Sequence, residues 1–167
     1  KVITKDDSIV KKEGNLINYQ WLSQKILNDW WITLNVKWNK NLSWKPYIAV
    51  SPYPNRSEIL KKTDFTDKSV ADYIWRNRDK ILQDWHTLWW WVDWEDIYLD
   101  VALAIPKKYE KQAIELWKKY NQKAVFDLEN FKEINTMWDG TAIPVDENII
   151  LQDIQSLFSK KKQWKMS

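Results

Sequence analysis

The chain has one histidine, His86, and groups able to act with it lie within reach in sequence. Asp84 precedes it by two residues, and Tyr98 and Asp100 face it across what reads as a β-hairpin. An imidazole hydrogen-bonded to a carboxylate or a phenol is the smallest set that can move protons at neutral pH. It would suit a small metal-independent nuclease, while a lone histidine at the start of a strand is more commonly a polar edge residue. Asp100 and Asp127 form a second candidate pair, because each interrupts an apolar strand, Tyr98-Leu99-Asp100-Val101 and Val125-Phe126-Asp127-Leu128. On neighbouring strands two such carboxylates would split their pKa values and could do acid–base work. The plainer alternative is two aspartates facing solvent or bonded to backbone or lysine. No metal is expected, since one histidine and no cysteine leave only carboxylates. Asp93, Glu95 and Asp96 loosely resemble a calcium loop, but hairpin turns favour acidic residues anyway. No glycine-rich phosphate loop is present, and no cofactor is expected.

Tryptophan offers a different chemistry. Trp89, Trp90, Trp91 and Trp94, with lysines nearby, are the candidate binding residues for sugars or single-stranded nucleic acid, by stacking. Yet the chain has 14 Trp and only 2 Gly, where ordinary usage gives about 7% glycine. Many tryptophans occupy turn contexts: Trp94 after Asp93, Trp30 and Trp31 after Asn28-Asp29, Trp38, Trp44, Trp85 and Trp138. An indole is a steric misfit where a turn needs positive φ. Some bacterial lineages and their viruses read the codon UGA as glycine, so one cause would account for both counts. On that reading most of the 14 are glycine positions, with Trp21 and Trp91 the better candidates for true aromatics. Glycine at positions 89 and 90 would give Leu-Gly-Gly-Trp, a flexible strand start.

The element that must position these residues is the hairpin His86–Val92 and Asp96–Ile105, turning at Asp93-Trp94-Glu95. In its second strand Ile97, Leu99, Val101 and Leu103 alternate with Tyr98, Asp100, Ala102 and Ala104, the period of a strand with two unlike faces. Around it the pattern predicts a helix over Tyr19–Asn28, strands Ile32–Lys37 and Tyr47–Val50, and a packed segment at Ile59-Leu60. A helix capped by Thr66 runs to about Gln83, and another spans Lys107–Asn121 with Tyr109, Ala113, Leu116 and Tyr120 inward. Strands Lys123–Leu128 and Phe131–Ile134 and a helix Glu147–Lys161 complete the set. Strand, helix, strand over Asp96–Leu128 predicts a parallel, right-handed crossover. The expected fold is α+β: a mixed, mainly antiparallel sheet with the hairpin central and helices packed on it.

A chain of 167 residues suffices for one domain, placed at 16–159, with a loose lead-in at 1–15, including a short strand at Val2–Thr4, and a basic tail at 160–167. The first residue is Lys1, which leaves room for residues before it. A charge of +3 is mild and spread out, weak support for nucleic-acid contact. No apolar run approaches a membrane span and no signal peptide shows. The expected setting on this ground is cytoplasmic, and no membrane partner is expected. Arginine is scarce, only Arg56, Arg76 and Arg78.

Tyr98-Leu99-Asp100-Val101, then 121–128 (Asn-Gln-Lys-Ala-Val-Phe-Asp-Leu) and Glu133-Ile134-Asn135-Thr136, resembles a segment in uncharacterised proteins of bacteriophages and prophages. Ala49-Val50-Ser51-Pro52-Tyr53 and Asn77-Arg78-Asp79 resemble the same proteins, so the likeness covers about Tyr47 to Gly140. It implies glycines near positions 89, 90 and 138. It also implies a mobile-element accessory protein or virion module with a host or virion protein as partner, and it carries no activity. The expected function is thus a non-catalytic interaction module, with the His86 nuclease and the tryptophan-based binder as alternatives.

Overall fold

Alternation places the long hairpin at the centre of the sheet. The computed structural model describes residues 18–120, 124–136 and 146–166; the lead-in, Trp138 and most of the 136–144 loop lie outside these. Strand β5 (His86–Asp93) pairs along its whole length with β6 (Asp96–Pro106), from Asp93↔Asp96 to His86↔Leu103. Only Trp94 and Glu95 connect them. Outward from β5 lie β1 (Trp31–Asn35) and β2 (Lys40–Asn41); outward from β6 lie β3 (Tyr47–Val50), β7 (Ala124–Asp127) and β8 (Lys132–Asn135). The far half of β6 is edged by β4 (Glu58–Lys61), the strand formed by the segment around Ile59-Leu60.

The fold is α+β, and among the described residues every pairing in the eight-stranded sheet is antiparallel. The expected crossover from β6 to β7 does run between strands of the same direction. However, β3 lies between them and pairs antiparallel with both, so the parallel contact is never made.

Among the described residues five helices cover one face: α1 (Tyr19–Asn28), α2 (Asp67–Arg76), α3 (Arg78–Ile81), α4 (Glu110–Lys119) and α5 (Glu147–Met166). The single helix expected from Thr66 to Gln83 breaks at Asn77. Its side-chain amide donates to the Tyr73 carbonyl at 2.9 Å, and its backbone leaves helical geometry at ψ 15°. Helix α5 continues through residues assigned to a tail, and Asp146 caps its start by accepting from the Asn148 N–H at 2.9 Å. Leu22, Ile26, Val70, Ile74, Ala113, Trp117, Ile150 and Ile154 pack on Ile32, Leu34, Leu88, Trp90, Leu99, Val101 and Ile105 in one buried core. Each Leu or Ile buried there contributes about 2 kcal/mol.

The opposite face is different in kind. Its small cluster, Leu42, Ala49, Ala104 and Leu128 with Trp31, Tyr47 and Phe126 around it, contains no residue of a described helix.

Candidate functional site

Parity decides where each candidate goes. Residues opposite one another in antiparallel strands share a face, and neighbours along a strand do not. His86 lies opposite Leu103 and so points to the helix side, whereas Tyr98 and Asp100 point away from it. The expected His86 partnership with Tyr98 or Asp100 is therefore not made. Asp84 does meet the ring, but through its backbone: Nδ1–H donates to the Asp84 carbonyl at 2.8 Å. The Asp84 carboxylate lies 3.4 Å from Lys37. A carbonyl only accepts, so the proton is on Nδ1, and Nε2 accepts from the Tyr53 hydroxyl at 2.8 Å. His86 is 1% exposed. Burial lowers its pKa from 6.5 to about 4; the Asp84 carbonyl opposes this, and Lys80 and Arg56 add to the lowering. Both ring nitrogens are thus occupied within the fold, and burial favours the neutral imidazole.

The two aspartates are also apart. Asp127 is level with Ile48 and, through it, Ile105, on the helix face, while Asp100 is opposite Trp89 on the other. Strand β3 separates their strands, so no carboxylate pair forms. Asp127 organises the β7–β8 turn: it accepts from Glu129 N at 3.0 Å, Asn130 N at 3.2 Å, Asn130 Nδ2 at 2.9 Å and Lys107 Nζ at 3.0 Å. Burial pushes its pKa up, but the Asn130 and Lys107 donors outweigh that and hold it at about 2. This contribution is complete above pH 3.8 and is lost as pH falls through about 2. Asp127→Asn should cost roughly 2 kcal/mol at pH 7, with the gap between variant and parent narrowing at pH 3. Urea unfolding at the two pH values measures it. Asp100 accepts from Ser57 Oγ in a short hydrogen bond, and burial raises its pKa against the Ser57 and Ser51 hydroxyls.

The tryptophans do not form one stacking surface. Trp90 is wholly buried in the core, Trp89 and Trp91 point to the other face, and Trp94 stands at the hairpin tip, 86% exposed. Across that face, which no described helix covers, runs a continuous row, Trp31↔Trp91↔Tyr98↔Ile59, drawn from β1, β5, β6 and β4. Trp91 and Tyr98 stack at 3.9 Å with planes 4° apart. Trp31 lies among Phe131 at 4.4 Å, Trp44 at 5.6 Å and Phe126 at 5.9 Å. Trp91 and Tyr98 use their faces on one another, while the rings around Trp31 meet edge-on or tilted, and together they form an apolar surface.

A polar cluster that the sequence pattern does not single out ties the turn before β4 to the start of α3 and the start of α5. Arg56, in the 3₁₀ turn Pro54–Arg56, forks onto Glu147 at 2.8 and 2.9 Å and onto Asp79 at 2.9 and 2.8 Å, and donates to Asn77 Oδ1 at 3.2 Å. Lys80 Nζ is 3.9 Å from Glu147. The Glu147 and Asp79 hydrogen bonds hold Arg56 firmly protonated and lower both acids. All five guanidinium donors are used within a charge-balanced group, which fits a clamp and leaves no donor for a substrate. Among the described residues no group of His, Cys, Asp or Glu could hold a metal ion, and no helix is long and apolar enough to cross a membrane. Compared with known proteins, the chain matches no family model, no curated protein and no solved structure.

Proposed function

We propose that the chain is a non-catalytic interaction module of phage or prophage origin that takes a host or virion protein on the sheet face that no described helix covers. The row Trp31–Trp91–Tyr98–Ile59 carries this reading. It sets apolar side chains side by side across four strands, with Ile59 60% exposed and Trp91 37% exposed. Aromatic side chains on a flat, rigid sheet suit a protein interface, where such residues are enriched. The origin rests on the resemblance of the segments from Ala49 to Thr136 to phage and prophage proteins.

A photo-crosslinking residue at position 98 should yield a protein adduct in extracts of the source host, and one at exposed Lys111 on α4 should not. Tyr98→Lys with Ile59→Glu should weaken capture of that partner at least ~10-fold, since the apolar centre of an interface carries most of its affinity. Adducts formed only from Lys111 would place the interface elsewhere. RNA or DNA cleavage by the intact chain, lost in His86→Gln, would replace this reading with the nuclease. Phage structural genes beside the source gene would support the origin, and a neighbourhood without mobile-element genes would remove it.

A further inference from the structure

We propose that positions 44, 85 and 94 are glycine in the protein as its source makes it, each encoded by UGA. The inference stands apart from the functional reading. Among the described residues five that are not glycine have positive φ: Asn39 at 51°, Trp44 at 66°, Trp85 at 67°, Trp94 at 53° and Phe131 at 51°. Asparagine tolerates this region. Phe131, after Asn130, shows that an aromatic can also be forced into it. Three of the five are tryptophan, whereas 14 in 167 would place fewer than one there by chance. Neither glycine of the chain, Gly14 or Gly140, lies in a described turn.

Each of the three sits where the chain reverses. Trp94 is the first of two loop residues between β5 and β6, and Glu95 after it keeps negative φ. A two-residue hairpin loop with positive φ at its first position calls for glycine there. Trp44 lies between β2 and β3, and Trp85 between α3 and β5. Two of the three indoles do little for the fold, being 86% exposed at Trp94 and 62% at Trp44. Trp85 differs, because it stacks on Phe158 at 4.4 Å. Trp30, Trp31 and Trp38, in similar sequence contexts, have ordinary backbone: α1 ends on an extended Asp29, and the left-handed residue of the 36–39 turn is Asn39. They are outside the proposal. The indole N–H groups of Trp89, Trp90 and Trp117 are buried and meet no acceptor among the described residues, an uncommon state for a buried tryptophan. This points the same way, but their backbone does not require glycine.

The deciding experiment reads the source codons and sequences by mass spectrometry the peptides that span 44, 85 and 94 in protein isolated from the source. UGA codons with glycine in the peptides are expected. UGG codons, or UGA codons with tryptophan in the peptides, overturn the proposal. Recombinant variants give an independent reading. Trp94→Gly and Trp44→Gly should raise the urea midpoint by up to about 0.5 M, with unfolded-state freedom offsetting part of the gain. Trp85→Gly should raise it less, because the Phe158 stack is lost. Trp21→Gly, inside α1, should lower it. A fall for Trp94→Gly matching that for Trp21→Gly counts against the proposal.

Discussion

Arg56→Ala is expected to destabilise the domain by about 2–3 kcal/mol, a loss set by what it leaves behind. Glu147 and Asp79 would lose their shared fork, and the only described cation remaining near Glu147 is Lys80, at 3.9 Å. The two arms are unequal. The Asp79 side chain is 59% exposed and its share is screened by water, whereas Glu147 at 33% and Arg56 at 17% are better shielded. Glu147 also opens α5, whose Ile150 and Ile154 are in the core. The loss should therefore appear first as weaker docking of the C-terminal helix, visible as faster amide exchange there. Arg56→Lys keeps the charge but cannot form two forks, and should recover less than half of the loss. Adding Glu147→Gln and Asp79→Asn to Arg56→Ala removes the stranded charges, and the triple variant should be more stable than the single. A single variant as stable as the parent would mean that the forks contribute nothing beyond exposed ion pairs.

The sequence shows the fold more clearly than the site, and the reason is periodicity. The alternation of Ile97, Leu99, Val101 and Leu103 against Tyr98, Asp100 and Ala102 gives strand, register and buried face together, since one slipped residue would reverse every side chain. The same parity, taken one step further, already separates His86 from Tyr98 and Asp100 once Asp93 is paired with Asp96. Strand β4 was harder to see, because four residues with one exposed isoleucine carry almost no pattern. The Arg56 cluster could not be seen at all from spacing: its partners are 21, 23 and 91 residues away. One local signal pointed to it. In a lysine-rich chain with three arginines, two do what lysine does poorly and the third, Arg76, makes one simple ion pair. Arg56 forks onto two acids, Arg76 pairs with Glu58, and Arg78 lies 3.7 Å over the Trp75 ring. The turn tryptophans were legible for the complementary reason, since local backbone demand needs no distant partner. Trp44, Trp85 and Trp94 have the left-handed backbone their contexts suggest, while Trp30 and Trp38 do not, because Asp29 and Asn39 absorb those turns.

Between pH 7 and pH 5 the domain is expected to lose about 2 kcal/mol, and about 3 kcal/mol by pH 4, through His86 alone. The unfolded imidazole titrates near its ordinary 6.5 and the folded one near 4. The folded state thus favours the neutral ring, and the unfolded state binds the extra proton over this interval. Stability from His86 is complete above pH 6.5 and falls with pH until the folded ring itself protonates near 4. Protonation would place a second hydrogen on Nε2, facing the Tyr53 hydroxyl that now donates to it. The imidazolium would also sit in the field of Lys80 and Arg56, with Glu147 only partly opposing them. The other shifted acids act elsewhere. Asp79, Glu147 and Asp127 are lowered, so their contributions are lost only below the ordinary carboxylate range. Asp100 is raised, so it recovers stability as pH falls and works against His86; measuring the curve in Asp100→Asn separates the two. His86 is the only histidine in the chain, so His86→Gln should be less stable at pH 7 yet should lose no stability from pH 7 to pH 5, with any rise coming from Asp100. Urea midpoints at half-unit steps of pH give both curves. A parent that keeps its full stability at pH 5 would show that His86 already holds its second proton or reaches water, and a reactive histidine would then return as a possibility.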